Sequence, residues 1–531
     1  MKKFLNLTVA LLSLTLCLPA GASQWSQNPM ENLLVSGADD INQDYPLTCA
    51  CPDGSTYVGW ISWEDETACL KLQLIDKDGN MKFGDGGIYI SRYPTPTWTS
   101  GFDIVSDKDG NAIIVYSDQR NDVWQAYAYK VSPRGEMLWN DGVALASNNV
   151  ESCLNPKLII SDAGNIIIGY QALTNSRNSI KVTKLTPDGS KAWGGHIEIT
   201  GANGLFAMAP SNQDSFLVTW FQADRGNLAV MRYTANGEEA WNGPTIVDEG
   251  SAVVSSEPLA CSDGKGGIVV SWRHSLYSTQ VDGRLQNVDR DGKLLWAESI
   301  AFSNVPQICT DNDNNIVAAY TTGKDNQDNI FMSKYDTDGD CVWASRELLE
   351  SPSYRIAIYG VSCINGEAVA VYRNILGLHM ATIDYIHLDT EGYPVDMTGK
   401  VSAMDGDKGF GRLASDGTGQ MVLAWSDNGS NRNGGRIYAQ NILPKVASVN
   451  RISVDDAGHF HPVYIDGVIK YRAAAEQESR ITVYDMSGRR IASCGAVLNA
   501  EGYAEGHTGY MAAGVYIVKC GSKSAKIIIN H

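Results

Sequence analysis

The sequence predicts an all-β protein: a β-propeller of eight four-stranded blades followed by a small C-terminal β-sandwich. Three observations lead there. A Trp or Tyr recurs six residues after a turn-type Gly, Asp or Asn, at Trp60, Tyr116, Tyr170, Trp220, Trp272, Tyr320, Tyr372 and Trp425. The mean spacing, (425 − 60)/7 or about 52 residues, is that of a repeat array. A second marker, Gly-x-x-x-Trp, opens the last strand of five units at Gly135/Trp139, Gly189/Trp193, Gly237/Trp241, Gly292/Trp296 and Gly339/Trp343, with Phe83 after Gly79 in the first unit and Asp396 after Gly392 in the seventh. Third, each unit reads as four short β-type runs divided by Asp, Asn and Gly turn chemistry, with no helical periodicity.

The third unit shows the pattern: residues 156–160, the turn Ser161-Asp162-Ala163-Gly164, residues 165–171, a polar loop, residues 179–185, the turn Pro187-Asp188-Gly189, then residues 192–200. Such a sheet has two apolar faces that neighbouring units must cover, and radial closure supplies them where an open solenoid leaves its ends bare. The chain ends favour closure. The eighth unit provides residues 420–425 and 436–443 and stops at Pro444 without its Trp strand, whereas residues 25–36, beginning with Trp25, form an orphan strand ahead of the first unit. The N-terminus is therefore expected to complete the last blade. The propeller takes residues 23–446, with seven blades as the alternative if the degenerate seventh unit is parsed differently. Recurrence in every unit assigns the Trp and Tyr residues to packing between blades rather than to stacking on a ligand.

A chain of 531 residues exceeds one ordinary core, and 19% charged residues are too few for a disordered polyelectrolyte. Lys2 and Lys3, an apolar run from Phe4 to Leu18, and Ala20-Gly21-Ala22 read as an export signal over residues 1–22, cleaved between Ala22 and Ser23. Cys17 raises lipidation as an alternative, but Leu16 stands where a small residue normally precedes a modified cysteine. Loss of the two leader lysines takes the formal charge from −18 to −18 − 2 = −20, which argues against nucleic acid and anionic membranes as partners. No later stretch reaches the ~20 apolar residues of a spanning helix. A monomer, secreted or attached to the outer-membrane surface, is expected.

Of 11 cysteines, 11 − 1 = 10 follow the leader. Cys51, Cys261 and Cys309 are aligned with Val105, Ile160 and Ala414 of other units, so each is read as a small apolar core residue without a partner. Cys494 and Cys520 are the disulfide candidate. Cys49 and Cys51 are too close along a strand, and no C-x-x-C occurs, so no zinc site is expected.

After Pro444 the period breaks. Residues 480–491 carry alternating apolar residues around Ser487-Gly488, residues 509–519 form a second such run, and residues 526–529 a last one, which together make the β-sandwich of residues 447–531. The order of these segments resembles the C-terminal sorting domain of the type IX secretion system of Bacteroidetes. The matching positions are the Gly-Arg turn Gly488-Arg489, the Gly-x-Tyr strand with Gly514 and Tyr516, and the basic-apolar strand from Lys526. That resemblance implies the type IX machinery as a partner, passage through the outer membrane, and removal of the tail. An ordinary immunoglobulin-like terminal domain is the alternative. The propeller loosely resembles quinoprotein-type propellers in its Gly-x-x-x-Trp marker, a likeness of fold only.

No His-Glu-x-x-His, Gly-x-Ser-x-Gly or Walker loop is present, and no cofactor is expected. The turns are not sialidase Asp boxes, because their aromatic follows Gly by six residues. Residues 336–340 with Glu347 mimic a calcium loop, but Cys341 takes the Gly position and the same turn recurs elsewhere, so a β-turn is the better reading. His459 and His461 lack a third ligand. Variation concentrates in the loops after the second strand of each blade, giving candidate ligand-binding residues Trp63, Asp118, Arg120, Asp224, Arg225, Arg273, His274, Lys324, Asp325, Arg373, Asp427 and Arg432. In a propeller these loops share a rim with the links between blades, around the channel mouth. The expected function is an exported binding protein that engages glycan or protein there without catalysis. The alternatives are a glycan-active hydrolase or lyase using rim carboxylates or a Tyr/His/Arg set, and a structural adhesion component.

Overall fold

The computed structural model describes residues 25–26, 28–37, 41–93, 95, 101–146, 151–174, 177–249, 256–277, 280–324, 327–350, 355–377, 379–415, 419–428, 434–442, 462–465, 467–472, 479–485, 489–498, 503–509, 511, 514–520 and 523–529. The chain divides into two compact units, Met1–Val446 and Ala447–His531. Among the described residues there is no helix.

The first unit is a ring of eight four-stranded antiparallel sheets. In blade 1, for example, strands Asn42–Ala50, Thr56–Glu64, Thr67–Ile75 and Ile88–Ser91 pair in chain order. The first strand of each blade contacts the first strands of both neighbours all the way round, so these strands line the axis. Blade 8 is built from Lys408–Ser415, Met421–Asp427, Arg436–Asn441 and the N-terminal Leu33–Leu34. Leu33 faces Ala439 and Leu34 faces Tyr438, and Val35 N–H donates to Ile437 O at 2.8 Å, which fixes the blade count at eight and closes the ring at the chain ends.

All eight period-setting aromatics are buried, from fully enclosed Trp60, Tyr116, Tyr170 and Trp425 to Tyr320 at 9% exposure. The Gly-x-x-x-Trp marker has a geometric cause. A Cβ on Gly189, Gly237, Gly292, Gly339 or Gly392 would meet Trp139, Trp193, Trp241, Trp296 or Trp343 of the preceding blade. These glycines also have positive φ, +88° at Gly189 and +85° at Gly292, so the turn needs glycine for conformation and the neighbouring indole needs it for space. The indole N–H of Trp193 donates to Ala235 O at 3.1 Å, Trp241 to Arg290 O at 3.2 Å and Trp296 to Thr337 O at 3.1 Å, each acceptor lying two residues before the paired glycine. Trp25 repeats this latch at the seam, donating to Lys77 O at 3.2 Å, two residues before Gly79.

Turn hydrogen bonds correct the cysteine register. Cys51 N–H donates to Ser55 O as Asp107 N–H does to Asn111 O, which puts Cys51 at the opening of a turn; Cys49 is the residue equivalent to Val105, Ile159, Cys261 and Cys309. The calcium-like segment is a turn of the same kind, in which Asp336 Oδ1 accepts the amides of Asp338 at 3.0 Å and Asp340 at 2.8 Å.

The second unit is a seven-stranded antiparallel sheet. Arg490–Leu498 pairs along most of its length with Ser479–Asp485 but turns to meet Tyr503–His507 at Val497 and Leu498, so the one sheet runs on through this strand and curls until it is nearly closed. Ile469, Ile481, Val483, Val518 and Ile527 fill its interior. Cys494 and Cys520 both stand opposite Ile481, on strands to either side of it. Two strand spacings separate them by about 9.5 Å, beyond disulfide reach, so the expected bridge does not form.

Candidate rim and channel-mouth site

Antiparallel order sends the loop after the second strand and the link to the next blade to one end of every sheet, so these segments share a face. The innermost strand begins on that face, and in five blades it carries a register slip: Asp44/Leu47, Leu154/Lys157, Ala202/Phe206, Ile358/Gly360 and Lys408/Gly411. Bulges of this kind re-aim side chains at the mouths of closed β-structures. Tyr45 with φ 54° and Asn155 with φ 48° sit in two of them, a conformation unusual for non-glycine residues.

The slips in blades 1 and 8 bring Tyr45 and Phe410 together with ring centroids 4.2 Å apart. Phe410 is 47% exposed and among the described residues is the most exposed aromatic. Beside it, Tyr359 O–H donates to Lys408 O at 2.8 Å, and Arg373 pairs with Asp407. Behind it lies the ion pair of Lys408 and Asp427, at 0% and 1% side-chain exposure and 2.7 Å, with Lys408 also donating to Met404 O at 2.7 Å.

Two further groups occupy the same face. Lys157 of blade 3 reaches Glu257, two residues ahead of the first strand of blade 5, at 3.0 Å. Near them, burial pushes the Asp103 carboxyl above the usual carboxylate range, against the opposing pull of Lys157 and of the Leu158 and Ile104 amides. Between blades 4 and 5, Asp248 Oδ2 takes the indole N–H of Trp272 at 2.7 Å and lies 2.7 Å from His274 Nδ1.

Among the described residues, those expected at the rim are divided between several separate contacts. Asp118 is fully buried and held by Arg120 through Nε at 3.0 Å and Nη2 at 2.7 Å, while Arg120 lies over the rings of Tyr127 at 3.5 Å and Tyr93 at 3.8 Å and also touches Tyr129. That pair is a packed strut with no charge to offer a ligand. Asp427 is likewise consumed by Lys408, and Trp63 packs against the blade 1 core. Asp224 and Arg225, each 73% exposed, stand at a loop tip 3.7 Å apart, and Arg273 is exposed. His274 and Arg373 keep their place at the mouth with partners from neighbouring blades. Asp325 and Arg432 lie outside the described residues, as does the Lys324 side chain. Tyr45, Asp103, Lys157, Asp248, Glu257, Asp407 and Phe410 were absent from the expectation; their signal is position at the end of one unit or the start of the next.

In the C-terminal unit Arg489 clips its own turn, its amide bound to Asp485 Oδ1 at 3.0 Å and its Nε to Oδ2 at 3.1 Å. Gly514 begins the strand Gly514–Cys520, Tyr516 is buried and Lys526 is exposed. Gly488, Ala22, Ser23, Cys17, His459 and His461 lie outside the described residues.

Fold and site thus define an eight-bladed all-β propeller in which, among the described residues, the mouth carries the aromatic pair of half-buried Tyr45 and exposed Phe410. No family model matches the chain, and no curated protein matches it. Among solved structures the chain is similar to an ulvan lyase, a polysaccharide lyase, bound to a GlcA(1-4)Rha3S saccharide, at 11% identity and TM-score 0.44 over 70% of this chain and 97% of that one. It is also similar to a protein of unknown function from Dyadobacter fermentans, at 14% identity and TM-score 0.37 over 78% and 99%, and to an α-L-arabinanase of Penicillium chrysogenum complexed with arabinobiose, at 12% identity and TM-score 0.34 over 66% and 95%. These likenesses assign no activity to this chain.

Proposed function

We propose that the protein is an exported binding propeller that takes an uncharged or weakly charged glycan on the Tyr45–Phe410 seam, and that its C-terminal unit directs type IX secretion. The observation that carries the binding reading is the 47% exposure of Phe410 in a propeller whose repeat aromatics are all buried. An aromatic face flanked by fixed polar groups suits the apolar face and hydroxyls of a sugar ring. The formal charge of −18 disfavours a polyanion. Binding of the full chain to an immobilised glycan panel tests this. Phe410→Ala and Tyr45→Ala are each expected to weaken binding about three- to tenfold, and Asp224→Asn to leave it unchanged. Retained binding in both aromatic variants refutes the assignment. The sorting reading fails if residues 447–531 fused to a signal-bearing reporter do not carry it out of a type IX-competent bacterium.

A second reading, cleavage of the bound glycan, is favoured by the Asp248–His274 pair. With Nδ1–H donated to Asp248, Nε2 is the nitrogen left to take a proton, the arrangement of a general base. Release of new chain ends from polysaccharides, lowered about 10²–10⁴-fold in His274→Ala with binding kept, supports it; no release from any bound glycan excludes it.

A further inference from the structure

The innermost strands Gln307–Thr310 of blade 6 and Arg355–Ile364 of blade 7 lie side by side, and they bring Cys309 Sγ and Cys363 Sγ to 3.2 Å, 54 residues apart in sequence. Both thiols are half-buried and pack in one cluster with Val317, Ala319 and Ile358. Both are free thiols, as expected of Cys309, but each has the other as its nearest sulfur contact. The two backbones belong to different sheets of a closed ring, so the sulfurs stay adjacent as long as the ring is intact, at a separation about 1.2 Å longer than the S–S bond of about 2.05 Å.

We propose that Cys309 and Cys363 are a disulfide-forming pair that links blade 6 covalently to blade 7. The step takes its oxidant from a small-molecule or protein disulfide. The thiolate of one cysteine attacks the oxidant, forming a mixed disulfide and expelling one thiolate. The second cysteine thiolate then attacks the mixed disulfide and expels the other, so the protein loses two protons and two electrons and the oxidant becomes a dithiol or two thiols. The contact with Cys363 and burial both hold the Cys309 thiol well above its ordinary range, which makes the first attack slow at neutral pH. Of the other thiols, Cys341 is exposed and can take up the oxidant as a mixed disulfide, while Cys49, Cys51, Cys69 and Cys153 are buried. Cys494 and Cys520 are two strands apart, and Cys261 Sγ lies against the Thr310 hydroxyl at 3.4 Å.

The purified full-length protein, reduced and then incubated with oxidised glutathione at mildly alkaline pH, is alkylated and mapped by mass spectrometry without reduction. The expected result is one cross-linked peptide pair joining Cys309 to Cys363, loss of alkylation at those two thiols beyond any glutathione adduct at the exposed Cys341, and a higher melting temperature that reduction reverses. Cys363→Ser is expected to leave Cys309 alkylatable and abolish the stabilisation, while Cys261→Ser keeps both. Full alkylation of Cys309 and Cys363 in folded protein after oxidation, or linkage of either to Cys261, overturns the proposal. The wild-type map decides the matter even where a variant fails to fold.

Discussion

The Trp25 latch is predicted to hold the seam, and Trp25→Ala measures how much. Trp25 is 5% exposed and packs with Val35, Val58, Trp60, Ile75, Val422 and Ile437 from both sides of the seam. Removing a buried Trp side chain costs about 3–5 kcal/mol, and the bond to Lys77 O accounts for about 1 kcal/mol of it. The lower end of that range, about 3 kcal/mol, is the working value. Unfolding entropy of about 2.1 cal/mol/K per residue over roughly 420 residues gives about 0.9 kcal/mol/K, hence a melting shift of only about 3 °C. The local effect is larger. A loss of 3 kcal/mol from a seam that opens by itself speeds amide exchange there by about a hundredfold. Hydrogen exchange read by mass spectrometry is expected to accelerate at residues 33–36 and 436–441 and to stay unchanged in blade 4. Trp193→Ala is expected to do the reverse. Equal acceleration in all blades, or none at the seam, refutes the latch.

Other consequences are as direct. Gly292→Ala places a Cβ 2.7 Å from Trp241 at φ +85° and is expected to cost about 2–4 kcal/mol, whereas Gly201→Ala, at φ +72° with no atom within 4 Å, costs only the backbone strain of about 1 kcal/mol; denaturant midpoints separate the two. Lys408→Met alone removes the buried cation that faces the Asp427 carboxylate and is expected to cost about 3–5 kcal/mol, with Asp427→Leu added to it recovering most of that loss in the same titration. Burial tends to raise Asp214 and Asp311, but hydrogen bonds from Lys184 with Ser161 and Asn165, and from Lys334 with Asn315, outweigh it and hold both carboxyls below the usual range. A depressed folded value means a stabilising contribution that is complete above the unfolded value of about 3.9 and is lost as pH falls through the folded one. Stability is expected to drop steeply below about pH 4, less steeply in Asp311→Asn.

The architecture was legible because its determinants are local and repeated. Gly292 must be glycine for a turn and for Trp241, and both needs recur in unit after unit. The fourth strand of blade 8 was legible because the ruler left one strand over and one missing, but of the expected residues 25–36 only Leu33–Leu34 pair as a strand, with Trp25 packed ahead of them. The mouth was harder to read. The loops after the second strands are variable, but Asp118 and Arg120 use that variation on each other, two residues apart. Arg373 finds Asp407 and His274 finds Asp248 across blade boundaries, and no spacing rule joins such residues. The slips that expose Tyr45 and Phe410 are register choices made by ring geometry, so the residue types alone do not announce them. Cys309 and Cys363 follow the same logic: their contact exists only because consecutive blades present innermost strands side by side.

The chain-end seam also sets the order of assembly. Ile437 and Ser36 are 401 residues apart in sequence yet share a hydrogen bond of 3.0 Å, and contacts of such separation form last because the intervening chain must first be ordered. Blades 1 to 7 are each contiguous in sequence and can form as synthesis proceeds; blade 8 waits for the final strands of the ring and then recruits the earliest ones. Until then the first residues of the propeller stay unpaired, and the exposed edge of Arg436–Asn441 is the strand most open to capture by the N-terminal segment of another copy. Domain-swapped dimers formed at high concentration during refolding are expected to exchange at this blade.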